Sequence, residues 1–520
     1  MKFFNTAGPI NPEKHYYIPG RFNEEELKNL IEQEKYFILH APRQSGKTTA
    51  MLEFVKKLNQ EGKFQALYVN VEPAQTARSN YEVGMKIILR EIRNWGIETF
   101  VSQDPFFTCI NQALKKKSES SLGTFLQSWA RICEKPIVLF IDEIDSLVGD
   151  TLISVLRQLR SHYPMRPKSF PQSACLVGVR DVRDYRIWSD AQQATVLGGS
   201  AFNIKAESLT LHNFTLKQVR NLLLQHTKET GQEFTKDAIA YTFEQTQGQP
   251  WLVNALAYQA CFCDVTDRKK TITLDVIQRA REALIKRQDT HLDVLISRLN
   301  EPRVVHIVDA ILSGTGEDQD FKSDDIQYAR DLGLISSTEF AIANPIYQEI
   351  IPRELTSSKQ MAFTMETKKW YLHKDGSLNT HKLLEKFTEF YRENSEVWQE
   401  RFAYKEAGPH LLLMAFLQRV VNGGGVITRE YALGRGRLDI LVAWPYGKSK
   451  QQRAVFELKV HRNAKTLPDG LKQTAGYMRT CNATEGHLII FNRSSKKTWD
   501  EKIFTQQEMV GKREITVWGM

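Results

Sequence analysis

Along the first 205 residues, short apolar runs alternate with longer stretches whose apolar residues recur every three or four positions. The runs predict strands at 36–40, 66–71, 137–141, 174–179 and 202–204, and the stretches between them predict helices. Ile137-Val138-Leu139-Phe140-Ile141 is apolar throughout, as expected of a strand covered on both faces. This order predicts an α/β fold built on a parallel sheet. From 209 to 298 the pattern turns helical, with segments at Leu216–Thr230, Thr235–Gln247 and Trp251–Phe262, the last two separated by Gly248-Gln249-Pro250.

Residues 302–313 and 323–332 predict two helices. Gly333-Leu334-Ile335 and Ala341-Ile342-Ala343 then predict a small hairpin, which together give the order of a winged helix. Such a unit reads DNA in some proteins and only packs in others. A polar stretch, 355–368, predicts a link. Beyond it, helices are expected at 380–394 and 405–420, a strand ending at Arg429-Glu430, and strands at Arg437–Ala443 and Ala454–Val460. A helix at Leu471–Thr480 and a buried strand at Gly486–Phe491 complete the pattern. The expected domains are 1–205, 206–298, 299–356, a linker and helix over 357–395, and 396–520.

The first strand leads into the chemistry. Tyr36–His40 is followed by Ala41-Pro42-Arg43-Gln44-Ser45-Gly46-Lys47-Thr48-Thr49 and a helix over Thr48–Gln60. Apart from Ala41 in place of the first glycine, this is G-x-x-x-x-G-K-[ST], a loop whose backbone N–H groups cradle phosphates. Arg43 to Thr49 are the candidate nucleotide contacts. Lys47 would neutralise the β- and γ-phosphates and the Thr48 hydroxyl would ligate Mg²⁺. Asp142 and Glu143 end the 137–141 strand. An Asp there holds Mg²⁺ through water, and the neighbouring Glu polarises an attacking water. Arg180 and Arg183, after the 174–179 strand, are candidates for sensing the γ-phosphate or for a surface ion-pair cluster.

Charge changes the picture in one place. Residues 361–520 hold 26 Lys and Arg against 17 Asp and Glu, leaving 44 of each sign elsewhere, so this third carries the whole formal excess of +9. That bias suits a polyanionic partner such as DNA or RNA. The six cysteines (109, 133, 175, 261, 263 and 481) form no disulfide or zinc framework and read as reduced thiols. Without an apolar run near 18 residues or a signal-peptide start, the chain is expected to be soluble and cytoplasmic, with no membrane partner.

A second constellation lies in the basic third. Asp439 stands near the start of one strand, and Glu457-Leu458-Lys459 in the next. Glu457 and Lys459, two apart, share a sheet face while Phe456 and Leu458 take the other. Asp439 and Glu457 with the Leu458 carbonyl would suit a hard cation such as Mg²⁺ or Mn²⁺. Lys459 would orient or deprotonate a water for attack on a phosphodiester. The competing reading is an ordinary Glu–Lys pair on a wet strand. Gln473 and Tyr477 share one face of the following helix, and Glu406 is a further carboxylate within reach of the cluster.

Two resemblances follow. Tyr17-Ile18-Pro19-Gly20-Arg21, the Arg43–Thr48 loop, Phe140-Ile141-Asp142-Glu143 and Gly248-Gln249-Pro250 resemble the AAA-like, archaeal-type ATPases of the STAND group over about residues 10–355. This resemblance implies a P-loop NTPase core with a helical lid and winged helix, ATP as ligand, and Tyr17 to Arg21 against the adenine. Residues 396–520, with Asp439, Glu457, Lys459 and the helix bearing Gln473, resemble the PD-(D/E)XK nuclease superfamily. That resemblance implies a restriction-endonuclease-like α/β domain, with Gln473 and Glu406 as supporting residues; Leu438 stands where Pro is usual. Together they imply a nucleotide-controlled, Mg²⁺-dependent nuclease, with a role in prokaryotic defence. The alternatives are a non-enzymatic binding switch with an inert C-terminal fold, and a signalling-type ATPase whose nuclease acts only after self-assembly into a homo-oligomer.

Overall fold

The computed structural model describes residues 1–115, 121–181, 185–190, 192–287, 297–313, 321–360, 370–401, 408–421, 426–428, 440–447, 450–492, 494 and 497–520. Of the residues singled out above, Arg183, Glu406, Glu430, Leu438 and Asp439 lie outside the described ones. The chain forms two compact units. The first is Met1–Arg287 with Arg330–Gly333, and the second is Gln288–Ala329 with Leu334–Met520.

The first unit is built on a five-stranded sheet. Its strands are β1 (Tyr36–His40), β2 (Gln65–Asn70), β3 (Ile137–Asp142), β4 (Ser173–Gly178) and β7 (Lys205–Thr210), all parallel in the order β2-β3-β4-β1-β7. The alternation of side chains sorts each strand between two cores. Ile38, Leu67, Leu139 and Leu176 face helices Tyr81–Thr99, Ser121–Ile132 and Gly149–Ser161, while Phe37, Tyr68, Phe140 and Val177 face helices Glu24–Glu32 and Lys47–Glu61. Both faces are covered, which is why β3 is buried at every position.

One expected strand moves. Residues 202–204 are not a strand; helix Gly198–Ala201 precedes them and β7 runs from Lys205 to Thr210. Ala201 and Phe202 are buried in the sheet's core as a helix end, and short apolar runs do not separate that from a strand. A small hairpin, β5 (Arg186–Ser189) with β6 (Ala194–Leu197), also escaped the apolar pattern. Helix Leu216–Thr230 forms where expected, opened by a Thr215–Gln218 capping box and closed by Gly231 at φ +78°. The segment expected as Trp251–Phe262 is helix Pro250–Tyr258 followed by a wider π-helical stretch, Gln259–Asp264.

The second unit contains helices Pro302–Ser313 and Ser323–Asp331, the last turn of the latter lying with the first unit. The expected wing is reduced to one antiparallel bridge, Ile335 to Ile342. Helix Pro345–Gln360 occupies the first part of the stretch read as a polar link. Its six-stranded mixed sheet has the order β12-β13-β11-β10-β9-β8: β8 (Val426–Thr428), β9 (Ile440–Tyr446), β10 (Lys450–Val460), β11 (Glu485–Phe491), β12 (Phe504–Val510) and β13 (Arg513–Gly519). β10 pairs antiparallel with β9 and parallel with β11. The β12–β13 hairpin was not anticipated, because β12 is a polar edge strand without an apolar run. Helix Thr466–Thr480 covers one face through Met478, packed on Val455, Leu488 and Val517. All six cysteines are free thiols. Among the described residues no helix is long and apolar enough to cross a membrane.

Candidate functional site

The loop after β1 takes the shape its residues demand. Gln44 and Gly46 both adopt left-handed backbone, at φ +57° and +91°, and Gly46 caps helix Lys47–Glu61. A Cβ at Gly46 would lie 3.2 Å from the Arg21 guanidinium, so glycine is favoured there both by conformation and by space. Ala41 is fully buried, its N–H bonded to the Gly178 carbonyl at 3.2 Å, and has no positive φ. The position therefore does not require the glycine of the usual pattern.

The polar groups of the loop converge. The Lys47 ammonium donates to the Ala41 and Pro42 carbonyls at 2.7 and 3.0 Å. Burial pushes its pKa down, opposed by the carboxylates of Glu143, Asp142 and Asp145. The Thr48 hydroxyl donates to Asp142 Oδ2 at 2.8 Å and the Tyr68 hydroxyl donates to the same oxygen at 2.6 Å. Asp142 Oδ1 accepts the Glu143 N–H at 2.9 Å. Asp142, Ser45 and Lys47 are buried, whereas Arg43 and Gln44 are exposed at the loop's rim.

Glu143 holds a left-handed backbone, φ +58°, which non-glycine residues adopt only when their surroundings impose it. Its carboxyl is pushed up to about 7, first by burial and then by the neighbouring Asp145 and Asp142. A carboxylate tuned near neutrality can accept a proton from water at working pH. Asp145 Oδ1 in turn accepts the Val179 N–H at 3.1 Å, tying the end of β3 to the end of β4.

Other expected contacts are placed less directly. Arg21 donates to the Ser45 carbonyl at 3.0 Å and to the His212 carbonyl, with its guanidinium 4.5 Å from the Phe214 ring centre. Burial lowers its pKa to about 10. It braces the loop from within the protein. Tyr17 is held by the Gln225 side chain through both backbone groups, at 3.2 and 2.8 Å. Thr49 accepts the Ile10 N–H at 3.1 Å, fastening the N-terminal segment to the loop's helix. Arg180 at the end of β4 lies with Nε 3.9 Å from Asp331 Oδ2, and His40 lies 3.9 Å from Asp331 Oδ1. Gly333, at φ +74°, packs so closely that a Cβ would meet Pro42 at 2.8 Å.

In the Gly248-Gln249-Pro250 turn, the Gln249 side chain caps the following helix by accepting the Leu252 N–H at 2.6 Å. Gly248, at φ +70°, accepts the Phe214 N–H at 2.8 Å, and a Cβ there would overlap the Phe214 carbonyl oxygen. Sequence reasoning missed Tyr68, Asp145 and Asp331. Tyr68 and Asp331 carry no motif spacing, and Asp145 stood in view at the end of the Asp142-Glu143 run.

The second unit's charged strand is buried. Glu457 is fully buried and Lys459 nearly so, with 2.6 Å between the Lys459 ammonium and Glu457 Oε1. Lys459 also donates to Gln473 Oε1 on helix Thr466–Thr480. Glu457 and Lys459 register against Leu488 and Ile490 of β11, on the face packed by that helix; Phe456 and Leu458 register against His487 and Ile489 on the other. The reading of a wet-face Glu–Lys pair is overturned by this burial. Asp439 and Glu406 fall outside the described residues, and among those described no group of three or more His, Cys, Asp or Glu is placed to hold a metal.

No curated protein matches the chain. Similar solved structures include the Walker-type ATPase PABY2304 of Pyrococcus abyssi, at 13% identity and TM-score 0.46, covering 67% of this chain and 99% of that one. The Thermotoga maritima RuvB Holliday junction branch migration motor follows at 13% and 0.33, covering 67% and 96%. The Aeropyrum pernix ORC1 protein in complex with DNA stands at 14% and 0.32, covering 67% and 94%. Similarity at this level fixes neither activity nor partner. The AAA-like domain model, however, matches residues 5–348, about two thirds of the sequence. With its P-loop, its Asp142-Glu143 strand end and its five parallel strands, the chain belongs to the AAA-like domain family.

Proposed function

We propose that this protein is an ATP-hydrolysing regulator of a metal-dependent nuclease carried on the same chain, cutting nucleic-acid phosphodiesters, DNA in preference to RNA. The observation that carries the nuclease half is the buried Glu457–Lys459–Gln473 set on β10 and its covering helix. Burying an ion pair costs desolvation that its attraction rarely repays, so a pair kept inside an apolar sheet calls for a chemical reason.

On this reading Lys459 orients or deprotonates the attacking water, and Gln473 fixes the ammonium. Glu457, with Asp439, the Leu458 carbonyl and Glu406 as a further carboxylate, would hold Mg²⁺ or Mn²⁺. Bound there, the metal supplies charge shielding at the phosphate. Glu457 is the one carboxylate of this set among the described residues.

In the first unit the residues fit a magnesium nucleotide. Asp142 is a buried carboxylate with Thr48 on one oxygen, and the loop presents Ser45, Gly46 and Lys47 at a helix start. Lys47 would bind the phosphates, Thr48 and Asp142 would hold Mg²⁺, and Glu143 would accept the proton of the attacking water. Tyr17 to Arg21 would lie against the base, with Arg21 also bracing the loop through the Ser45 and His212 carbonyls. The setting we propose is cytoplasmic prokaryotic defence.

The test uses full-length protein, Mg²⁺ or Mn²⁺, and labelled DNA and RNA with and without ATP. Cleavage by wild type and none by Asp439→Ala, with ATP binding retained, is the expected result. Equal nicking by that variant refutes the nuclease site. Cleavage that persists unchanged in Lys47→Ala refutes the control by nucleotide.

A further inference from the structure

Tyr68 enters neither the loop motif nor the Asp142-Glu143 strand end. It lies on β2, an edge strand, beside β3 and separated by β3 and β4 from the β1 that feeds the loop. Its side chain is buried, and in the β2–β3 register it stands opposite Phe140, while Asn70 stands opposite Asp142. The phenol therefore leans along the sheet by two residues to bring its hydroxyl to Asp142. There it donates to Oδ2 at 2.6 Å, the oxygen that also accepts from Thr48 at 2.8 Å, while Oδ1 takes the Glu143 N–H. The Trp95 ring meets the Tyr68 ring edge to face at 4.6 Å and fixes its direction.

The arrangement has a chemical logic. A buried carboxylate without donors turns its oxygens toward whatever proton it can find, or takes one up. Three donors from three directions leave Asp142 a single orientation. Thr48 and Glu143 are themselves part of the nucleotide machinery, and both lie in segments that meet the ligand. Tyr68 is the one donor anchored in the sheet itself. A phenylalanine would fill the same volume and could seat against Trp95, but it would not hold the carboxylate.

We infer that Tyr68 is a positioning residue for Mg²⁺ at the P-loop: it holds the Asp142 carboxylate in the orientation that magnesium requires. The inference rests on the reading of the loop as a magnesium-nucleotide site and adds a residue that the motif does not contain. Partners of this type, one shell behind a metal's own ligands, typically change metal affinity by about 10- to 100-fold when removed.

The experiment is calorimetric titration of ADP into the full-length protein, once in EDTA and once across a series of Mg²⁺ concentrations. Tyr68→Phe is expected to leave the EDTA affinity within about twofold of wild type. It should raise the Mg²⁺ concentration needed for half of the metal-dependent gain by about tenfold. A general packing defect would weaken both arms alike, and that result overturns the inference, as does an unshifted magnesium dependence. Should Tyr68→Phe fail to fold, Trp95→Phe, which loosens the seat of the phenol and keeps its hydroxyl, takes its place. It should shift the magnesium arm in the same direction by a smaller factor, and no shift overturns the inference. Wild-type protein that binds ADP with no magnesium dependence defeats the magnesium-nucleotide reading itself, a failure distinct from that of Tyr68.

Discussion

The two charged sites solve the same problem in opposite ways. At the P-loop, the charges are met by groups of the loop, of the strand ends and, for Asp142, by one hydroxyl from within β2: Lys47 by two carbonyls, Asp142 by three donors, Asp145 by a backbone N–H. The site sits where strands end and helices begin, so polar backbone is available without breaking the sheet. On β10 the charges sit within the strand, beneath a helix that packs on the sheet with apolar residues; Lys459 meets Glu457 beside it and Gln473 of that helix. A loop site can be supported by its own backbone. A mid-strand site needs side chains that have nothing else to do, and that makes it the more informative of the two.

The largest effect should come from that strand. Glu457→Gln and Lys459→Met should each lower nucleic-acid cleavage by about 10²- to 10⁴-fold, the usual weight of a positioned proton-transfer group. Combining Glu457→Leu with Lys459→Met should abolish cleavage yet leave the thermal midpoint unchanged or raised, because apolar replacement of a buried pair is commonly neutral to stabilising by about 1–4 kcal/mol. A double variant that unfolds would make the pair structural and erase the contrast.

At the loop, Lys47→Ala should weaken ATP binding about 100-fold, near the roughly 3 kcal/mol of a charged hydrogen bond, as read by calorimetry. Retained affinity would mean that the loop's backbone alone suffices.

A smaller effect separates the sites by pH. Glu143 titrates at about 7 and acts as a base only when ionised, so ATP turnover should fall about tenfold per unit below that value and level off above it. Glu143→Gln should flatten this limb. A profile that is level from pH 5 to 8 in the wild type would remove Glu143 from the role of base. The smallest change is at a helix cap that supplies no group to either chemistry. Thr215→Ala, which deletes a helix cap, should cost about 1 kcal/mol in denaturant melts and leave both activities in proportion to the folded fraction.

How much of this was legible in the sequence follows the same division. The loop, Asp142 and Glu143 were readable because their spacing is local and the chemistry dictates it. Strands β1 to β4 were readable because burial on both faces leaves long apolar runs. Strands β7 and β12 were not, since their half-wet faces remove the apolar run that marks a strand. Glu457 and Lys459 could be put on one face from their spacing, but nothing in Glu-x-Lys distinguishes a buried pair from a wet one. Their burial depends on Leu488, Ile490 and the 466–480 helix, which the chain reaches only later. Tyr68 was hidden for a similar reason: an aromatic residue in an apolar strand looks like core, and only the register of β2 on β3 reveals its hydroxyl's partner.

Gly248 has a consequence of its own. The peptide of Phe214 fills the place that any larger residue at 248 would need, and no atom of either residue belongs to the loop that takes the phosphates. A single added methyl there would pry the turn before Pro250 away from the segment that follows β7. Such an allele would disable the nucleotide module by distortion while every group that performs chemistry stays intact. Geneticists could then ask in living cells whether the proposed nuclease is restrained by an intact nucleotide module or licensed by its fuel.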